Sequence, residues 1–327
     1  MESVSFIVIA HNEEATIAAA ISSISELDGL AEYEIIVVND GSRDKTTEIV
    51  DGIAARNPNV KHIARPDKLG RGNARKTGVE AASGDLIATV DADIILPRDW
   101  LLRAREALTS FDAVGGTGIP DGDVAYIHRR FGLVPRLVGQ ATTVTGGNAL
   151  YRRSVFKVVQ FDSELENGED VALNYEMDAS GLACETVPGL VVEHRENKSF
   201  RTSVQWLFES GVGATRQFRT YREIRQPDIV TAGFVGALGV GISVAALTRK
   251  PAALAVPACF VAAASVQHVR TRFKIGLGDL PRALPATAVD AVLLTAYFAG
   301  RVVGIGQRLP EQTPVRAAAR AAARERR

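Results

Sequence analysis

The sequence predicts an α/β fold, a mostly parallel sheet with helices on both faces, followed by a C-terminal transmembrane helical hairpin. Three observations carry this. Through residues 1–120, short apolar β-branched runs alternate with helically spaced stretches, and parallel strands require such crossovers. Apolar residues make up 46% and charged residues 23% of 327 positions, a balance that builds a core and is foreign to a disordered chain. From Asp228 onward, uncharged runs approach the length of a bilayer crossing.

The elements follow in order. Residues 5–10 and 34–39 (EIIVVN) read as buried strands, and residues 60–64 and 85–90 as two more. Residues 13–25, 44–56, 70–82 and 98–110 have helical spacing, with Asp44 a first-turn acid. A parallel sheet of this kind takes its ligand beyond the carboxyl ends of its strands. The polar residues at those ends are therefore the ones to inspect.

The C-terminal third differs in texture. Residues 229–247 carry no charged residue, 252–269 contain only His268 among chargeable Asp, Glu, Lys, Arg and His, and 283–300 only Asp290. The first run would span roughly 28 Å as a helix, against a hydrocarbon layer of roughly 30 Å. A five-residue link (LTRKP) joins the first two runs, and basic residues follow at Arg270, Arg272 and Lys274. The positive-inside rule then makes the first two runs a hairpin returning to the cytosol, with Arg249 and Lys250 running against that scheme. The third run is expected to be interfacial or re-entrant, because a crossing there would put the Arg-rich end outside. Ahead of the first run, Arg216, Arg219, Arg222 and Arg225 recur every third residue among Trp206, Phe208, Phe218 and Tyr221. That pattern reads as an amphipathic interfacial helix.

Composition excludes several classes. Two cysteines, Cys184 and Cys259, rule out a disulfide scaffold and a zinc site built from Cys pairs. The N-terminal MESVSFIVIAHNEE has no basic region before its apolar run, so no secretory signal is expected. Net charge is zero, yet residues 228–327 hold 13 basic and 5 acidic side chains. An acidic body with a basic, apolar end suits an anionic membrane face, and no nucleic-acid partner is expected.

Three motifs carry chemistry. In Val90-Asp91-Ala92-Asp93, two carboxylates follow an apolar strand. They suit Mg²⁺ or Mn²⁺ bridged to phosphate oxygens, although acids also gather before a helix start such as Pro97. In Asn39-Asp40-Gly41-Ser42, a turn offers a carboxylate for a ribose hydroxyl or base N–H; an Asx-turn cap is the alternative. In residues 68–78 (KLGRGNARKTG), two glycines flank Arg71 at a helix start. This is an anion site or a solvated basic helix start, and neither a Walker loop nor a dinucleotide fingerprint.

Residues 6–17 (FIVIAHNEEATI), 34–46 (EIIVVNDGSRDKT), 69–78 (LGRGNARKTG) and 85–93 (DLIATVDAD) occur in that order. Together they resemble the family-2 inverting glycosyltransferases of GT-A fold, in the dolichol-phosphate-mannose-synthase-like branch. Residues 145–156 (TGGNALYRRSVF) resemble the family's glycine-containing acceptor loop, and 167–174 (NGEDVALN) its Glu-Asp motif. The resemblance covers about residues 3–225. It implies that Ala10, Asn12 and Glu13 line a nucleotide pocket, that Asp40 contacts base or ribose, and that Gly70 and Arg71 approach the nucleotide. It implies that Asp91 and Asp93 hold Mn²⁺ or Mg²⁺ and the diphosphate, with His194 as a further metal ligand. Gly146, Gly147 and Asn148 would form the sugar and acceptor loop, and Asp170, with Glu169 beside it, the general base. His11 replaces the commoner aromatic of its motif.

The expected organisation is a catalytic domain over 1–200, an interfacial helix and linker over 201–227, a membrane region over 228–302 and a basic tail over 303–327. The implied partners are a nucleotide-diphosphate sugar donor, a lipid-linked or glycan acceptor, and membrane lipids. A phosphate acceptor would make the protein a polyprenyl-phosphate monosaccharide synthase. The implied location is the cell membrane, multi-pass, with the catalytic domain cytoplasmic. A processive synthase fits less well, since the Gln-x-x-Arg-Trp motif is replaced by adjacent Gln205-Trp206. A non-catalytic adaptor and a soluble transferase with core C-terminal helices are the other readings.

Overall fold

The computed structural model of the protein describes residues 2–120, 122–130, 144–195, 199–222, 224, 226–250, 252, 255–308, 315–318 and 321. Arg225 and most of the basic tail lie outside the described residues. The chain divides into two compact units. One comprises Met1–Pro120, Leu137–Asn197 and Pro310–Arg327, the other Asp121–Arg136 and Lys198–Leu309.

The first unit is built on an eight-stranded sheet. Its strands are β1 (Val4–Ala10), β2 (Tyr33–Asp40), β3 (Val60–Arg65), β4 (Leu86–Asp91), β5 (Ile94–Ile95), β6 (Ala113–Pro120), β7 (Asn148–Arg152) and β8 (Cys184–His194), in spatial order β3-β2-β1-β4-β7-β6-β8-β5. Its helices are α1 (Ile17–Ser25), α2 (Thr46–Ala54), α3 (Arg71–Ala81), α4 (Trp100–Leu108) and α6 (Glu169–Ala179). The first four strands pair in parallel, as the alternation predicts. Beyond β4 the sheet is mixed, because β7 runs antiparallel to both β4 and β6 and β5 runs antiparallel to β8. Only β6 and β8 restore a parallel pair there.

Strand alternation sorts the core into two layers. Phe6, Val8, Ile35, Val37, Leu86 and Val90 pack with Ile17, Ile21, Val50 and Trp100 of α1, α2 and α4. Ile7, Ile9, Ile36, Val38 and Ile87 pack on the other face with Ala74 of α3 and Leu173 and Met177 of α6. Gly78 lets α3 lie against β1, since a Cβ there would overlap the Ile7 side chain. At the amino ends of the strands, Glu34 accepts hydrogen bonds from Ser5, Ser83 and Lys61 at 2.6–2.7 Å. Burial pushes this carboxyl up, but the bonds from Lys61, Ser83 and Ser5 prevail and hold it down at about 2.

The second unit is helical, with α5 (Asp123–Arg130), α7 (Phe200–Tyr221), α8 (Gln226–Thr248), α9 (Ala255–Phe273) and α10 (Leu280–Gly304). The helices α7 and α10 meet through glycines: a Cβ at Gly211 would overlap the Tyr297 carbonyl, and one at Gly300 the Phe208 carbonyl. Arg301 pairs with Asp228, both buried, and His268 Nδ1 lies 2.8 Å from Asp290 Oδ1. Among the described residues, the helices long and apolar enough to cross a membrane are residues 228–248 of α8 and all of α10.

These two helices hold the first and third apolar runs. The second run lies in α9, Ala255–Phe273, whose last turns carry Gln267, His268, Arg270 and Arg272. The third run, expected to be interfacial or re-entrant, is a continuous helix with Pro285 inside it. The arginine stripe is also partly spent within the unit. Arg219 Nη1 donates to Gly304 and Gln307 carbonyls at 3.2 and 2.7 Å, satisfying helix-end groups rather than facing outward.

Candidate active site

Strand order fixes where the site lies. β2 and β3 extend the sheet to one side of β1 and β4 to the other, so the order reverses between β1 and β4. Ligands bind at such switch points, beyond the strands' carboxyl ends. The β1 end supplies His11-Asn12-Glu13 and the β4 end supplies Asp91-Ala92-Asp93. Because β7 is antiparallel to β4, with Val90 opposite Asn148, the residues just before β7 arrive at the same end. These are Gly146 and Gly147.

Both glycines are needed there. A Cβ on Gly146 would stand 2.7 Å from the Arg75 guanidinium carbon, and one on Gly147 2.6 Å from Asp91 Oδ2. Arg75, on α3, is 2% exposed and joins two acids: its Nη2 donates to Asp91 Oδ1 at 2.6 Å, and its Nη1 pairs with Glu169. The guanidinium carbon also lies 5.9 Å from the centre of the Phe161 ring. Glu169 opens α6, and the next residue, Asp170, accepts from the Gly146 amide at 3.1 Å. Arg75 and the two glycines thus bring Asp91, Glu169 and Asp170 to one place.

Asp93 and His194 also meet. β5 follows Asp93 directly and pairs Ile94 with His194 at the end of β8, which sets His194 Nε2 3.0 Å from Asp93 Oδ2. Both are partly exposed. Asp91 faces Arg75 instead, and among the described residues no three His, Cys, Asp or Glu side chains close a cage around a metal ion. The donor set that remains is one carboxylate and one imidazole at an open rim. It fits a divalent cation that takes its other ligands from phosphate oxygens and water.

Other expected residues have structural duties. Asp40 is 4% exposed and accepts from the Leu69 and Gly70 amides at 2.9 and 2.8 Å and from Arg65 at 3.3 Å. Its oxygens position the 69–70 turn, so the carboxylate expected to contact base or ribose already has partners. Asn148 is 2% exposed; it accepts from Trp100 Nε1 at 2.7 Å and donates to the Leu190 carbonyl at 3.1 Å. It braces the strand rather than joining Gly146 and Gly147 in the crevice. Ala10 is buried in the core at the end of β1.

Asn12 is exposed, at φ 59°, and interlocks the first two strand ends. Its amide donates to Ser42 Oγ at 2.9 Å, while its Oδ1 accepts from the Arg43 amide at 2.8 Å. The Glu13 amide donates to Thr46 at 2.8 Å, and the Glu14 amide to Asp44 at 3.1 Å. Burial raises and the Thr46 and Glu14 hydrogen bonds lower the Asp44 carboxyl, which ends below its usual range. Gly70, at φ 92°, caps α3, and Arg71 is half-buried at the start of that helix. Arg75 stands within the 68–78 stretch, where the sequence assigns it no role of its own. The available signal was its helical face: Gly72, Arg75 and Gly78 recur every third residue, and an arginine on the buried face of a helix demands buried acids.

The family model described as Glycosyl transferase family 2 matches residues 5–159. A poly-beta-1,6-N-acetyl-D-glucosamine synthase of Staphylococcus epidermidis is 28% identical over 192 residues, 54% of this chain and 46% of that protein. An undecaprenyl-phosphate 4-deoxy-4-formamido-L-arabinose transferase of Aeromonas hydrophila is 34% identical over 116 residues, 34% of this chain and 36% of that protein. The chain thus spans about half or less of the length of these curated relatives. Among solved structures, a mannosyltransferase from Pyrobaculum calidifontis, in complex with GDP-Man and Mn²⁺, is similar with a TM-score of 0.60 at 20% identity. The match covers 93% of this chain and 87% of that one, and it shows a shared fold.

Proposed function

We propose, because residues 5–159 match the family model described as Glycosyl transferase family 2, that this protein is a metal-dependent, inverting glycosyltransferase held at a membrane. It moves a sugar from a nucleotide diphosphate onto a lipid-linked or cell-surface glycan acceptor. The observation that carries the proposal is the convergence of Asp91, Glu169 and Asp170 on Arg75 and the Gly146-Gly147 turn, at the switch point of the sheet.

In this reading Asp93 and His194 hold Mn²⁺ or Mg²⁺, which when bound neutralises charge on the leaving diphosphate. Asp91, fixed by Arg75, lines the donor side. Gly70 and Arg71 present a helix start and a cation to the phosphates. Gly146 and Gly147 leave room for the sugar. Asp170 keeps lone pairs free beyond its bonds to the Gly146 and Val171 amides. It takes the acceptor hydroxyl proton as the acceptor oxygen attacks the anomeric carbon opposite the departing nucleotide. The helices α8 and α10 provide the membrane attachment, with the catalytic unit on the cytoplasmic side.

A phosphate acceptor is the second form of this reading, favoured by the likeness to an undecaprenyl-phosphate transferase. Such an acceptor arrives already anionic and asks less of Asp170. Membranes containing the protein, incubated with Mn²⁺, native lipid extract and a panel of radiolabelled UDP- and GDP-sugars, test the proposal. Transfer from one donor, with the inverted anomer in the product, is expected. No transfer from any donor overturns it.

A further inference from the structure

The basic tail, expected at an anionic membrane face, sends one arginine elsewhere. Residues 315–318 are helical and belong to the first unit, where Val315 packs against the cluster containing Tyr151, Phe156 and Phe161. Arg316 is 8% exposed. Its Nη2 lies 2.7 Å from Asp162 Oδ2 and its Nε 3.1 Å from Glu176 Oε1, and both acids are 6% exposed.

The two acids belong to different parts of the site's frame. Asp162 lies in the loop that seats the start of α3: the Gly72 amide donates to the Leu165 carbonyl at 3.0 Å, and a Cβ on Gly72 would overlap the Asp162 carbonyl. The same loop places Glu166 against Gly70. Glu176 lies on α6, two turns beyond Glu169. In the second turn of the helix, Asn174 ties α6 to Val144, just ahead of the Gly146-Gly147 turn, through a reciprocal pair of 2.9 Å bonds. Buried carboxylates this close to one another require a cation between them.

We propose that Arg316 is a positioning residue of the transferase site. It clamps the 162–166 loop to α6 from behind, and so keeps α3 at the distance from which Arg75 reaches Glu169. The proposal rests on the transferase reading for its kinetic consequence and on the geometry alone for its structural one.

The test uses the full chain with two variants. Arg316→Ala removes the cation. The triple variant Arg316→Met, Asp162→Asn, Glu176→Gln removes the clamp without leaving buried charge, and decides the matter should the single variant not fold. Hydrogen exchange of residues 159–179 is expected to accelerate by about tenfold or more in either variant, the mark of a local opening. With Mn²⁺ and the donor, kcat is expected to fall about tenfold while the donor KM moves less than about threefold, because the carboxylates rather than the donor contacts are displaced. Unchanged exchange, or wild-type kcat in the triple variant, overturns the proposal. Failure of the transferase reading shows separately, as a wild-type protein that turns over no donor; exchange alone then decides whether the clamp exists.

Discussion

Arg75 is the residue on which the site's charges depend. Its side chain is 3% exposed between Asp91 at 21% and Glu169 at 2%. Removing one partner of a buried network leaves the others uncompensated, so Arg75→Met is expected to cost about 3–5 kcal/mol in denaturant unfolding. Turnover should fall with it by at least about a hundredfold, as the acids lose their placement. Asp93→Ala is expected to abolish turnover, and a chelator should do the same to the wild type, with Mn²⁺ restoring the latter only. Asp170→Asn separates the two acceptor forms. With a hydroxyl acceptor it should lose about a thousandfold in kcat, the usual worth of a positioned base, and much less with a phosphate acceptor. Equal transfer by the wild type and the Asp93 and Asp170 variants would remove these roles.

At the scale of elements, the two ends of the parallel strands do different work. The carboxyl ends carry the proposed site, while the amino ends carry the Glu34 cluster, which serves stability. A carboxyl at about 2 when folded and 4.5 when unfolded favours the folded state at neutral pH. That contribution is roughly 3 kcal/mol, fully present above the unfolded value and lost as pH falls from about 4.5 toward 2. Urea unfolding of Glu34→Gln against the wild type should therefore show a large difference at pH 7 that shrinks at pH 3. In the helical unit, Gly300→Leu drives a side chain into the Phe208 carbonyl, where α7 and α10 touch. Such overpacking costs about 1–3 kcal/mol, and faster proteolysis within residues 198–309 would report it.

For the molecule as a whole, the proposed membrane attachment rests on α8 and α10, which are long and apolar enough to cross a membrane. Carbonate-resistant association with membranes is expected of the full chain; release into the soluble fraction would favour core helices instead. The buried Asp228–Arg301 pair is compatible with lipid surroundings because each charge faces a neighbouring helix.

The alternation of the first four strands and helices, the strand ends that carry polar residues, and the apolar character of the C-terminal third are all legible along the chain. Local periodicity encodes these, because each rests on neighbours a few residues apart. Asp91 and Asp93 stand out as carboxylates at a strand end, whereas Glu169 and Asp170 are implied by the family resemblance. Only the tertiary structure decided that β7 reverses direction, that Asp40 and Asn148 are consumed by backbone and core partners, and that Arg75 and Arg316 bind acids far along the chain. Those outcomes hang on pairings between distant segments, and a buried side chain is assigned its partner by packing, which no local pattern records.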